Sequence, residues 1–493
     1  MNKYAAAKIL YKSLTDRCYP IRSPSLFLHL VKTFVAILLI SALFFFAACK
    51  KESINTNMEA RLSLTNDSLR FDTVFTTAGS ITKFFLIKNE NKQKILLSNI
   101  QLMGGSVSAF KMNVDGSQGV QFTNLEIAGN DSMYVFVRVN VNPTAANQPF
   151  VLRDSIKIQW NGNTSFKQLE AWGQNANYIR STIFQGNFVW TKTRPYVILG
   201  GMIVDTNSIL TIQAGTRIYL NADAPFIVDG TLLTNGTKTD SVVFYGNRLD
   251  DPYKDYPGAW PGIFFRGSSK DNRLTYTYIR NAYQGVVVEK PSVNANPKLV
   301  MNNCVLDNIY DIGVFGINTR ITANNCLISN CGNNIALIYG GSYNFTHCTV
   351  ATFNNSFITH KSPVLIATNF IKQNNQTFTA PFAATFTNCI LWGDEGLVDN
   401  EVVTEKIGAD ALNLNLQNVL FRSKTDPLNT TFSNVLRNTN PMFDSIDVSR
   451  RVYNFKLQAG SPAINKGIVT PLLTDFDGKL RLGLPDLGCY EKQ

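Results

Sequence analysis

Histidine is the scarcest chemical resource in this chain of 493 residues: there are 3, at positions 29, 347 and 360. His29 falls in the N-terminal segment that reads as a targeting leader, which leaves two, too few for metal chemistry that needs several imidazoles, such as a three-histidine zinc site. Charge is also thin, with 16% Asp, Glu, Lys and Arg. The formal net charge of +11 is concentrated at the start. Residues 1–48 hold Lys3, Lys8, Lys12, Arg17, Arg22 and Lys32 against Asp16, leaving 40 basic and 34 acidic residues over the other 445. No Lys/Arg run interleaves with aromatics, so no nucleic-acid partner is expected. No paired CxxC supports a metal site. No apolar run reaches the roughly 20 residues of a membrane-spanning helix.

Aromatic and apolar residues are plentiful. The chain has 33 Phe and 18 Tyr, and 45% of it is hydrophobic. That is enough for sizeable cores and favours pleated, half-buried surfaces over helices.

Thr33 to Ala48 is a 16-residue apolar run following a basic, polar segment. Its length suits the core of a signal peptide. It ends in Phe46-Ala47-Ala48-Cys49. Small residues before a cysteine in this register resemble the lipobox of bacterial lipoproteins, although Phe46 stands where that family usually has Leu, Val or Ile. The resemblance implies lipidation of Cys49, a membrane partner through that lipid, and residence at the outer membrane or cell surface. Residues 49–60 then read as a tether.

Residues 61–178 alternate apolar and polar positions in short runs, such as Met133-Tyr134-Val135-Phe136-Val137-Arg138-Val139, separated by Gly- and Asn-rich turns. The pattern predicts a β-sandwich. It resembles the Ig-like modules that precede β-helices in Bacteroidetes surface proteins.

From residue 180 to 439 the strands shorten and a repeat emerges. Asn303-Cys304-Val305-Leu306, Asn325-Cys326-Leu327-Ile328 and His347-Cys348-Thr349-Val350 recur at 22-residue intervals, and Asn388-Cys389-Ile390-Leu391 follows 41 residues later, close to two further periods. Asn308 and Asn330 sit four residues after their cysteines, and Asn281 fits the same slot one coil earlier. A period near 22 predicts a parallel β-helix, in which stacked coils bury one continuous core. Cys304, Cys326, Cys348 and Cys389 then form an inward ladder beside Leu306, Ile328, Val350 and Leu391, as buried free thiols. Disulfide pairing through the out-of-phase Cys331 is the alternative. His347 reads as a ladder substitution in the asparagine slot, and His360, beside Lys361, as an exposed loop residue.

Residues 440–493 differ again. Ser461-Pro462-Ala463-Ile464-Asn465, Asp475-Phe476-Asp477-Gly478 and Pro485-Asp486-Leu487-Gly488-Cys489-Tyr490-Glu491 closely resemble the choice-of-anchor Q motif that ends many secreted right-handed β-helix proteins. The resemblance implies a pectate-lyase-like, right-handed solenoid with this segment as a C-terminal cap over its open end. Asp475, Asp477 and Gly478 read as turn residues of that cap.

Enzymes of this fold carry catalytic sets on successive coils. Of the polygalacturonase signatures NTD, DD, GHG and RIK, only Asp250-Asp251 matches. The one candidate ligand loop contains Asp250, Asp251, Tyr253, Asp255, Tyr256 and Trp260. Carboxylates beside flat rings suit sugars, whose C–H faces stack on aromatics. The alternative is a plain surface loop with Trp260 packed under the next strand. No cofactor is expected; calcium on these three Asp is the single metal alternative. Asp followed by Ser or Thr and an apolar residue recurs at Ser68, Thr73, Ser132, Ser155, Ser241 and Ser445. This resembles the O-glycosylation motif of exported Bacteroidetes proteins; a polar turn starting an apolar strand explains it equally. The reading is of an all-β envelope lipoprotein that binds or adheres to glycans without catalysis. A polysaccharide lyase or hydrolase and a structural envelope protein are the alternatives.

Overall fold

The computed structural model describes residues 53–492, apart from 77–79, 144–146, 148 and 395. Cys49, the apolar run and the start of the tether lie outside the described residues. Apart from two single-turn 3-10 helices, every element is a strand.

Alternation builds the first unit. In Ser132–Val139, Met133, Val135, Val137 and Val139 point inward while Tyr134, Phe136 and Arg138 are exposed. Two sheets share such inward faces. One runs, in spatial order, Leu62–Leu64, Lys83–Asn89, Ser132–Val139, Phe110–Val114 and Ser117–Gly119. The other runs Ser68–Phe75, Asn163–Gln174, Phe150–Trp160, Ile95–Leu102 and Gln121–Phe122, with Leu125–Ile127 also on Ile95–Leu102. Phe85, Ile87, Ile95, Leu97, Ile100, Val135, Val137, Ile156 and Ile158 between them are fully buried. The expected sandwich is present. Its last strand ends at Gln174, and Asn177–Phe184 already pairs in parallel with Tyr196–Val204 of the next unit. The expected tether is shorter than read. Ile54 bridges Lys94, Trp160 Nε1 donates to the Ala60 carbonyl at 3.0 Å and Asn161 Nδ2 to those of Asn55 and Asn57. Residues 54–60 are therefore held to the sandwich edge by a hydrogen-bond set that their polar composition did not announce.

The second unit is one 26-stranded sheet wound as a parallel β-helix from Asn177 to Arg437. Its ladders follow the 22-residue repeat: Leu306 pairs with Ile328 and Ile328 with Val350. The next partner of Val350 is Leu391. The 41-residue interval is thus one enlarged coil, not two periods. Its extra length is a loop at 353–364 and a hairpin of Phe370–Gln373 with Gln376–Thr379. Insertions at coil corners leave the stack's register intact, which a period count cannot reveal.

Cys304, Cys326, Cys348 and Cys389 stack inward, each fully buried and free. Their thiols donate to carbonyls of the preceding coil, from Cys304 Sγ to Leu274 at 3.3 Å to Cys389 Sγ to Phe345 at 3.5 Å. Burial raises the Cys304 and Cys348 thiols and keeps them protonated. Cys331 is also free and buried, in line with Ala282 and Ile309, both fully buried, in a second inward row. The asparagine corners adopt the left-handed region: Asn281, Asn308 and Asn330 in one row, and Asn303, Asn325, Asn388 and Asn418 in another, with φ between 50° and 60°. His347, at φ 51°, occupies the second row as expected.

Residues 440–492 do not close the solenoid's end. They run along its flank. Corner asparagines donate to their backbone: Asn325 Nδ2 to Thr474 O at 2.9 Å, Asn388 Nδ2 to Ile468 O at 2.7 Å and Asn418 Nδ2 to Lys466 O at 2.7 Å. Beneath lies a core of its own, in which Val305, Leu327, Ile390, Trp392 and Leu420 meet Phe443, Phe455, Phe476 and Leu487. These solenoid residues point away from the inner core, so an apolar outer face needed covering more than the end did. Asp475 and Gly478 are turn residues, as read: Asp475 Oδ1 accepts from Lys479 N at 2.7 Å, and Gly478 has φ 75°. On the last coil the Arg437 guanidinium lies 4.5 Å over the Phe432 ring.

Candidate functional site

The candidate loop is an insertion between Val242–Gly246 and Ile263–Phe265. Its carboxylates are individually neutralised. Arg248 grips Asp250 through two hydrogen bonds of 2.7 and 2.9 Å. Burial alone would raise the Asp250 carboxyl, but this pair holds it below the ordinary range. Asp251 pairs with Lys254 at 2.8 Å and Asp255 with Arg451 at 3.0 Å. Among the described residues no group of three or more His, Cys, Asp or Glu is arranged to hold a metal ion. The calcium alternative therefore finds no shared carboxylate site in this loop.

Trp260 must be removed from the candidate surface. It is fully buried, its Nε1 donates to Arg280 O at 2.9 Å and its ring stacks on Phe244. Asp250 is also buried, and serves the loop's structure. Tyr253 and Tyr256 are exposed, at 45% and 39%. They meet edge to face at 5.4 Å; Arg248 covers Tyr253 at 4.0 Å and Tyr256 packs against Phe357 at 5.0 Å.

The rest of this surface comes from other parts of the chain. Phe357 comes from the insertion at 353–364, and Arg451, 4.4 Å over Phe357, from the turn of the hairpin Phe443–Asp447 and Val452–Leu457. On the other side Tyr283 and Tyr310 stack at 5.4 Å, with 25° between planes, and are about half exposed. Gly258 takes φ 78° where the loop passes Tyr310, a turn that side-chain-bearing residues resist. The corner asparagines fix the loop from beneath, as Asn281 Nδ2 donates to Lys254 O at 2.6 Å and Asn308 Nδ2 to Asp255 O at 2.8 Å. A signal for the tyrosines was present. Asn281-Ala282-Tyr283 and Asn308-Ile309-Tyr310 repeat one pattern of corner, inward and outward residue, so successive coils place rings in one outward row. Phe357 and Arg451 had no such signal, since only the tertiary fold brings them there.

His360 is a correction. It is buried, not exposed: Nε2 lies 2.9 Å from Glu401 Oε1, and the same carboxylate accepts Arg422 Nη2 at 2.8 Å and Val364 N at 3.2 Å. The inserted loop folds back and ties itself to the next coil through this carboxylate. His347 is buried beside Asn388 at 3.0 Å. Burial first, then the Arg481 charge, lowers its pKa to about 3.

Of the Asp-Ser/Thr positions, Ser68 and Ser132 are the first residues of strands and Ser241 directly precedes one. Asp131 Oδ1 accepts from Ser132 N at 2.7 Å, and Asp154 Oδ1 from Ser155 N at 2.7 Å. Thr73, Ser155 and Ser445 lie within strands; Ser445 is exposed and the other five are half-buried.

No family model matches the chain, and no curated protein does. Among solved structures it is similar to a family 123 glycoside hydrolase from Clostridium perfringens, at 8% identity and a TM-score of 0.17 over 25% of this chain and 30% of that one. It therefore spans less than a third of that relative. It is also similar to the catalytic unit of a GH87 alpha-1,3-glucanase from Streptomyces thermodiastaticus strain HF3-3, at 10% identity and a TM-score of 0.22 over 72% of this chain and 88% of that one.

Proposed function

We propose that this chain is a lipid-anchored envelope protein of the Bacteroidetes type that binds glycans without transforming them. The contact surface is the patch of Tyr253, Tyr256, Tyr283 and Tyr310. One observation carries the reading: four exposed rings from three coil corners gather around one pinned loop. Rings held this way offer C–H stacking faces at little cost in side-chain entropy. The pairing of Asp250, Asp251 and Asp255 with cations favours binding over hydrolysis, because a carboxyl committed to an ion pair is a poor proton donor. The lipid on Cys49 is part of the proposal. Because residue 54 already bridges the sandwich, the few residues between reach at most about 18 Å, which keeps the sandwich next to the membrane. Ser445, the exposed Asp-Ser position, is the proposed O-glycan acceptor.

The test is a glycan-array screen of the soluble chain, run with reducing-end and unsaturated-product assays on every hit. Tyr253→Ala and Tyr310→Ala are each expected to weaken binding about tenfold with unchanged melting. Product release from any hit, or full binding by both variants, overturns the reading. Radiolabelled palmitate is expected to label the wild type and not Cys49→Ser; label surviving the substitution removes the anchor.

A further inference from the structure

We infer a second binding site, on the outer face of the sandwich, for an acidic saccharide. It stands on residues far in sequence from the tyrosine patch and holds whether or not that patch binds. Strand register lays the face out as a grid. Leu86 lies opposite Tyr134, Phe84 opposite Phe136, Phe136 beside Asn113, and Arg138 beside Lys111. The face is normally the polar side of a two-sheet sandwich, yet Phe84, Tyr134 and Phe136 are exposed at 51%, 46% and 36%. They form one cluster. Tyr134 and Phe136 stack at 5.7 Å with 12° between planes, and Phe84 leans on both at 5.4 and 5.9 Å.

Beside this platform is a shallow cleft of about 320 Å³, lined by Phe136, Arg138, Lys111, Asn113, Gln118 and Thr82. No carboxylate lines it. Lys111 Nζ is steadied by the Ser106 and Ser108 carbonyls at 3.2 and 3.0 Å, and Arg138 has no ion-pair partner among the described residues. An aromatic ring, two amide side chains, a hydroxyl and two cations match the parts of a uronic-acid residue: a C–H face, hydroxyls and a carboxylate, to which an arginine fork donates paired hydrogen bonds. Apolar docking of another protein would leave both cations facing a partner of unstated charge; the charge complementarity here selects an anionic sugar.

The experiment is affinity electrophoresis of the full chain in gels containing alginate or the same polymer after carboxyl reduction. Retardation by alginate is expected, falling as salt rises, with little retardation by the reduced polymer. Phe136→Ala and Arg138→Gln are each expected to weaken binding about tenfold and Arg138→Lys less, with melting unchanged in all three. Tyr253→Ala is expected to bind alginate as the wild type does, which separates this site from the patch. The inference is overturned if the wild type is not retarded, if Phe136→Ala and Arg138→Gln both bind normally, or if these substitutions abolish binding to phosphatidylglycerol vesicles while alginate is not bound.

Discussion

A corner residue in a β-helix must turn left-handed, and asparagine does this at small cost because its side chain bonds locally. Here the same side chains do more. They reach sideways, to the loop at 250–260 from Asn281 and Asn308 and to the flank segment from Asn325, Asn388 and Asn418. His347 takes this slot in one coil and brings a titration with it. Its folded pKa of about 3 lies below the unfolded value of about 6.5, so protons favour the unfolded chain. The stabilising term is complete above about pH 6.5 and is lost as pH falls toward about 3, amounting to a few kcal/mol in all. His347→Asn restores the residue of the neighbouring coils. The melting temperature of the variant relative to the wild type is therefore expected to rise steadily from pH 7 to pH 4. Parallel curves for the two proteins would show that His347 is not held neutral in the fold.

At the level of elements, the proposed contact surface is built where insertions interrupt short coils. The loop at 250–260 and the loop at 353–364 leave the sheet at different coils and meet through Tyr256 and Phe357. The pinning of the first loop is separable from the stack beneath it. Asn308→Gly keeps the left-handed corner without strain and deletes the hydrogen bond to Asp255 O. A loss of about 1 kcal/mol is expected. Hydrogen exchange is expected to quicken at the amides of residues 254–256 and 258, which bond within the loop's own turn and to Ala282 O, and to stay unchanged in Val305–Asp307. Unchanged exchange in the loop would mean that the Asn281 bond to Lys254 O and the ion pairs of Asp250 and Asp255 hold it without Asn308.

For the whole molecule, the consequence lies in the flank segment. An end cap protects one coil, whereas residues 440–492 cover outward apolar residues from Tyr278 to Leu436. Deleting them is expected to raise hydrogen exchange along all the covered coils and to make the chain aggregate, since the bared surface is a contiguous apolar strip. Exchange confined to the strand Thr430–Ser433 and beyond would restore the end-cap assignment. The sandwich docks on the first coils through Phe75, Val197 and Tyr219, so its own exchange is expected to stay unchanged.

Periodic features follow from the order of residues along the chain. Alternation along Ser132–Val139 and the 22-residue return of Asn-Cys specify inward and outward faces locally, because neighbours one period apart must stack. The cysteine ladder, the sandwich and the left-handed corners were legible for that reason, as were Tyr253 and Tyr256 within the loop. Tertiary structure alone decided what depends on residues meeting out of period. The 41-residue coil is one turn and not two because insertions add length without changing register. Trp260 and His360 are buried because a neighbouring coil and a refolded loop close over them. Phe357 and Arg451 join the tyrosine patch, and the C-terminal segment lies on the flank, because long-range burial of apolar area outweighs what any local pattern prescribes.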